Sequence, residues 1–289
     1  MLNPRGWLVI ALGILLGTAS WGQVPDADRV VEIEGVRVHF SVQGDGNPVV
    51  LIHGFCANRQ VQWDLPGITG NLARNYQVIA LDNRGHGRSS KPHDPAKYGM
   101  EMVHDVARVL DHLRLPKAHI VGYSMGGLIT AKFAATYPDR VLTATAGGVG
   151  WMQPDTPTEL DHIAKALEED GSLGPLITAL TPEGAPKPTP LQIRQINAML
   201  MGLGNDPKAL AAVARGMKQL SIPEPEFKRC SVPLQFVVGT RDPLGVGLKE
   251  AQAARSGIKV VTIEGADHMN TFQKPEFIQS VRDFIANGR

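Results

Sequence analysis

Cysteine is nearly absent from this chain of 289 residues, with Cys56 and Cys230 the only two. Thiols so far apart in sequence make no disulfide framework. There is no CxxC pair and no clustered Cys/His spacing, so no metal is expected. His104 and His112 stand two helical turns apart, too far for one metal ion, and are expected as exposed surface histidines. Runs of like charge are missing as well. Lys plus Arg number 29 against 28 for Asp plus Glu, a net charge of +1. Neither sign is gathered into a block, so nucleic acid and acidic polymers are not expected as partners.

What is present is ordinary for a globular protein: 43% apolar and 20% charged residues, in a chain long enough to bury a sizeable core. The exception is the N-terminus. "MLNPRGWLVIALGILLGTASWGQ" has one early cation, Arg5, then an apolar stretch from Trp7 to Gly17, then small residues at Thr18, Ala19 and Ser20. That is the layout of a secretory signal over residues 1–22, with cleavage expected after Ser20 or Gly22 and the mature protein exported. Residues 6–25 carry no charge, so the alternative is an uncleaved anchor, the one circumstance in which a membrane partner is expected.

From residue 30 onward the pattern alternates. "VVEIEGVRVHFSVQG" predicts a hairpin turning at Glu34-Gly35. "PVVLIHG" (48–54) is near-continuously apolar, as in a strand buried on both faces of a parallel sheet. A helix is predicted around 61–74, a strand over 76–82, a helix over 99–115, a strand over 118–123, a helix over 125–138 and a strand over 141–148. Residues 151–228 then read as helices between proline-rich turns, with no convincing strand. The strand pattern returns over 232–239 and 259–265, with helices at 246–256 and 275–288. Strand–helix–strand repetition implies a mostly parallel, doubly wound α/β sheet. The core is expected from residues 23–150 and 229–289, and residues 151–228 are expected as a helical lid inserted between two strands.

The most informative stretch is "HIVGYSMGGLI" (119–129), where a strand pattern becomes a helix pattern at Ser124. Gly122 and Gly126 flank the serine at positions where any Cβ would meet neighbouring backbone. G-x-S-x-G in this context is the signature of a nucleophile elbow, which lifts a serine hydroxyl clear of the sheet edge. A serine hydroxyl is a weak nucleophile at neutral pH and needs a base, and the base needs an orienter. In elbow enzymes they follow in the order serine, acid, histidine. Asp242 falls in "GTRDPLG" after one predicted strand, and His268 in "GADHMN" after the next. Both loops share a sheet edge with Ser124, where parallel α/β folds bind ligands. Asp155, after the preceding strand, is the better rival acid; Asp267 adjoins the histidine and is poorly placed to reach its ring. The N–H of Met125, at the start of the helix, and the N–H of Phe55, in the His53-Gly54-Phe55 turn, are the candidate oxyanion donors. His53 precedes Gly54 directly, and its ring is expected to brace that loop.

These residues resemble the α/β-hydrolase superfamily over essentially all of residues 30–289. The resemblance rests on "HGFCAN" (53–58), "LDNRGHGRSS" (81–90), "GYSMGG" (122–127), "GTRDP" (239–243) and "GADH" (265–268). It implies a mostly parallel eight-stranded sheet, a helical lid and no cofactor. The D-x-R-G-x-G-x-S run from Asp82 to Ser89 is a structural mark of lidded members, and no chemistry is assigned to it or to His86. Relatives that open epoxides or cleave carbon–halogen bonds place Asp at the elbow, and Ser124 argues against both. The expectation is a serine esterase with an acyl ester as its small-molecule partner. The alternatives are a carbon–carbon bond hydrolase, a perhydrolase, or a hydrolase-fold protein that binds without turnover. Trp151, at the strand-to-lid junction, is expected beside the substrate with Phe55 and Met125.

Overall fold

The computed structural model describes residues 27–156 and 158–288. The leader expected at residues 1–22 lies outside the described residues. Among those described, no helix is long and apolar enough to cross a membrane.

Eight strands form one sheet: β1 (Ala27–Ile33), β2 (Val36–Gln43), β3 (Pro48–Ile52), β4 (Gln77–Asp82), β5 (Ala118–Tyr123), β6 (Val141–Gly147), β7 (Leu234–Gly239) and β8 (Lys259–Ile263). Their order across the sheet is β1-β2-β4-β3-β5-β6-β7-β8. β2 pairs antiparallel with both β1 and β4, and every other pairing is parallel. The sheet is therefore mostly parallel, as its apolar strands imply. The opening hairpin turns on Glu34 and Gly35, both at positive φ (50° and 77°), the twist that a two-residue hairpin loop favours.

Alternation along the strands divides the core between two faces. Val50 and Ile52 of β3 point into one apolar cluster, with the helices Met100–His112 and Met125–Thr136. Val49 and Leu51 point into the other, with the helices Ile68–Leu72 and Pro275–Asn287. Helices cover both faces, as a parallel sheet requires.

Between β6 and β7 lie five α-helices and no strand among the described residues: Leu160–Asp170, Gly174–Ala179, Pro190–Met201, Pro207–Gly216 and Glu224–Arg229. This insertion has a small core of its own around Ile163, Leu167 and Leu210, and that core includes Cys56 from the loop after β3.

Three local expectations differ from the structure. The helix predicted around 61–74 is split into a π-helical turn, Gln60–Asp64, and the helix Ile68–Leu72. Pro66 has no N–H to continue the first piece, and Gly67 turns the chain with φ 78°. His104 is not an exposed histidine: it is half-buried, and its Nδ1 lies 2.7 Å from the Tyr137 hydroxyl, while His112 is exposed. Trp151 is spent on packing. It is 3% exposed, stacks on Phe227 at 4.3 Å and donates its indole N–H to the Ile222 carbonyl at 2.9 Å. The base of the insertion is pinned there, and the ring is not free for a substrate.

Candidate active site

The parallel strands change direction of progress at β3. β4 lies on one side of it and β5 on the other, so the loops leaving β3 and β5 diverge and open a crevice between them. Ser124 stands at that switch point. It links β5 to the helix Met125–Thr136 with φ 56° and ψ −122°, a conformation that side-chain-bearing residues rarely adopt. Its own N–H is tied to the Gly147 carbonyl at 2.8 Å. The flanking glycines are steric necessities. A Cβ on Gly122 would sit 2.0 Å from the Gly126 carbonyl oxygen, and one on Gly126 would sit 2.0 Å from that of Ile52.

His268 arrives from the loop after β8, and Asp242 from the loop after β7. Two backbone features join these loops: Arg241 donates its N–H to the Ala266 carbonyl at 2.9 Å, and a Cβ on Gly239 would lie 2.2 Å from the same oxygen. His268 Nε2 lies 2.9 Å from Ser124 Oγ. Its Nδ1 lies 2.9 Å and 3.0 Å from the two carboxylate oxygens of Asp242. Those acceptors require the proton on Nδ1, which leaves Nε2 free to receive a proton from the serine. The Asp242 side chain is wholly buried, and its Oδ1 also accepts the Leu244 N–H at 2.9 Å. Of the two rival acids, Asp155 is exposed in a turn of the insertion, and Asp267 uses its carboxylate to accept the N–H groups of Met269 and Asn270.

Tyr123 also serves this site, though nothing in the sequence marked it. Its buried hydroxyl donates to the His268 main-chain carbonyl at 2.6 Å, and its ring lies 5.4 Å from the imidazole. Burial holds the phenol pKa well above 10. The residue beside Ser124 thus anchors the histidine loop, a relation visible only once two loops that are distant in sequence meet.

The loop after β3 closes the other side. Gly54 approaches the serine so closely that a Cβ there would be 3.1 Å from Ser124 Cβ. Its N–H points to Gln62 Oε1 at 3.4 Å, and the Ala57 N–H returns to the Gly54 carbonyl at 3.3 Å, so Phe55 and Cys56 are the central residues of a turn. Met125 occupies the first helical position, where a backbone N–H has no intrahelical acceptor. His53 is buried and bridges two loops: Nδ1–H donates to the Gly54 carbonyl at 2.8 Å, and Nε2 accepts the Asn83 N–H at 3.0 Å. Burial lowers its pKa and keeps it neutral. His86 packs edge-on to both His53 and Phe55, and burial together with the His53 ring pushes its pKa down to about 3.

The Asp82–Ser89 run braces this wall. Asp82 accepts N–H groups from Arg59 and Arg88, and Ser89 Oγ accepts the His39 N–H at 2.8 Å, tying the run to β2. Arg84 is buried and grips Asp105 through two bonds of 2.6 Å. Among the described residues, no three His, Cys, Asp or Glu side chains are grouped to hold a metal ion. Cys56 and Cys230 are both buried and unpaired.

A hydroxyl, an imidazole and a buried carboxylate in series can transfer a proton as the hydroxyl attacks a carbonyl carbon. Comparison with known proteins agrees with this architecture. Residues 47–170 match the alpha/beta hydrolase fold family. The chain is 30% identical over 260 residues to the dihydrolipoyllysine-residue acetyltransferase component of an acetoin cleaving system from Cupriavidus necator, covering 86% of this chain and 66% of that one. Among solved structures, it superposes on the enol-lactonase of Burkholderia xenovorans LB400 with TM-score 0.73 and 21% identity, over 89% of this chain and 100% of that one. It also superposes on Est816, described as an N-acyl homoserine lactone degrading enzyme, with TM-score 0.71 and 26% identity, again over 89% and 100%. A nucleophile-elbow glycine pair, the strand order and the matched sequence agree, and the chain belongs to the α/β-hydrolase superfamily.

Proposed function

We propose that this hydrolase cleaves carboxylic esters through an acyl-enzyme. Ser124 Oγ attacks the ester carbonyl carbon while His268 Nε2 takes its proton. The carbon–oxygen bond to the alcohol then breaks, and His268 returns that proton to the departing oxygen. Water repeats the sequence on the acyl-enzyme and releases the acid. Asp242 holds the imidazole in the useful tautomer and balances the charge it gains. The N–H groups of Phe55 and Met125 meet the negative charge that develops on the carbonyl oxygen, and the Phe55 ring contacts the acyl group.

The observation that carries this reading is the continuous series Ser124 Oγ, His268 Nε2, His268 Nδ1, Asp242, with each link near 2.9 Å. Serine at the elbow, in place of a carboxylate, favours attack at an acyl carbon over attack at an alkyl carbon. A lactone is an ester closed on itself, and likeness to Est816 supports including cyclic esters among the substrates. A leader over residues 1–22, as the sequence pattern suggests, would export the protein to where such an enzyme meets environmental esters.

Release of p-nitrophenol from short-chain esters by the purified protein tests the proposal. Ser124→Ala is expected to lower turnover by about 10⁶. Equal turnover in wild type and variant refutes the assignment. Adding lactones and diketo acids to the panel separates ester from carbon–carbon cleavage: faster turnover of the diketo acids would replace the ester reading. Tight ligand binding with no turnover on any of them would make the protein a receptor.

A further inference from the structure

The core braces the first half of the turn that carries the Phe55 N–H, through His53 and Gln62 at Gly54 and His86 at the Phe55 ring, but its second half is held from elsewhere. Cys56 holds φ 62° at the third position of the turn, where a positive φ is ordinarily supplied by glycine. The turn's internal hydrogen bond, Ala57 N–H to the Gly54 carbonyl, is long at 3.3 Å. At Cys56 the support comes from the helical insertion. Asn205 donates from Nδ2 to the Cys56 carbonyl at 2.8 Å, and from the same nitrogen to the Leu200 carbonyl at 2.9 Å. Two carbonyl acceptors fix which end of the Asn205 amide faces the turn. The Cys56 side chain, 1% exposed, is packed among Ile163, Leu167 and Leu210 of the insertion. The next residue, Asp206, caps the helix Pro207–Gly216 and meets His93 of the core at 2.8 Å. Asn205 is thus anchored on both sides of the junction.

We propose that Asn205 is a positioning residue. It holds the Gly54–Ala57 turn in the shape that aims the Phe55 N–H, so that seating the insertion and completing the oxyanion site are one event. This rests on the reading of Phe55 as an oxyanion donor. Without the Asn205 bond the Cys56–Ala57 peptide is free to turn and Cys56 relaxes from its positive φ; the Gly54–Ala57 turn opens, and the Gly54–Phe55 peptide that carries the Phe55 N–H shifts from its place. Ground-state binding of the ester is not altered by this, but the transition state loses a donor.

A double-mutant cycle reads the coupling. Asn205→Ala is expected to lower kcat about 10- to 100-fold with KM nearly unchanged, the range expected for a displacement of about 1 Å at a reacting group. Glycine adopts a positive φ without strain. In a Cys56→Gly background the same Asn205→Ala change is therefore expected to cost less than about 3-fold. A purely structural role for Asn205 predicts equal losses in both backgrounds, or a change confined to KM, and either result overturns the proposal. If Asn205→Ala does not fold, Asn205→Asp carries the same cycle: it keeps the size of the side chain and turns an acceptor toward the Cys56 carbonyl. Labelling with a fluorophosphonate separates the reactivity of Ser124 from the role of Asn205. A wild type that takes no label and cleaves no ester overturns the esterase reading itself; a wild type that labels while both backgrounds lose equally overturns only the role of Asn205.

Discussion

His86 makes a quantitative demand on acid stability. The ring is fully buried, accepts nothing at Nε2, and has its pKa lowered from 6.5 to about 3 by burial and by the adjacent His53 ring. Above pH 6.5 it is neutral in both the folded and the unfolded chain, and its contribution does not vary with pH. As pH falls below 6.5 the unfolded chain binds a proton that the folded chain refuses. Stability is lost across that window, down to about pH 3, where both states carry the proton. Each pH unit within it removes about 1.4 kcal/mol, so moving from pH 7 to pH 5 costs about 2 kcal/mol from this ring alone. Against a total stability of about 5–15 kcal/mol, that is easily measured. Urea unfolding of wild type and His86→Phe at both pH values is the assay. The phenyl ring keeps the edge-on contacts with His53 and Phe55 but cannot take a proton. Groups distant from position 86 contribute equally to both proteins and cancel in the difference between them. The variant is expected to lose about 2 kcal/mol less than wild type between pH 7 and pH 5. Equal losses would mean that His86 is hydrated or mobile in the folded protein, and its burial behind the Gly54–Ala57 turn would be refuted.

Two further substitutions separate roles that the sequence alone left open. Asp242→Asn removes the carboxylate that fixes the His268 tautomer and is expected to lower kcat by about 10⁴, while Asp155→Asn leaves the rate unchanged; the opposite pattern in ester hydrolysis would hand the role to Asp155. Trp151→Ala opens a void against Phe227 and is expected to cost about 3–5 kcal/mol in denaturant unfolding, with KM of the folded enzyme unchanged; a large rise in KM without loss of stability would return Trp151 to the substrate.

The sheet was legible because its determinants are local. Near-continuous apolar runs such as "PVVLI" can be satisfied only between two covered faces, and G-x-S-x-G at a strand-to-helix boundary leaves few backbone solutions. Breaks were less legible: the helix predicted around 61–74 failed at Pro66-Gly67, where the loss of one N–H and a left-handed residue outweigh apolar spacing. Trp151 was misjudged because a large aromatic at a junction packs or binds according to what lies opposite, and Phe227 is 76 residues away in the sequence.

By itself, then, the amino-acid order determined the alternation of strands and helices, the elbow, and that Ser124, His268 and the two rival acids followed strands. Tertiary structure alone decided that Asp242 and not Asp155 faces His268, that Tyr123 anchors the histidine loop, and that Asn205 reaches Cys56. Each of these is a contact of about 3 Å between segments far apart along the chain. Local propensity carries no information about such distances; only the packing of the sheet, its loops and its insertion sets them.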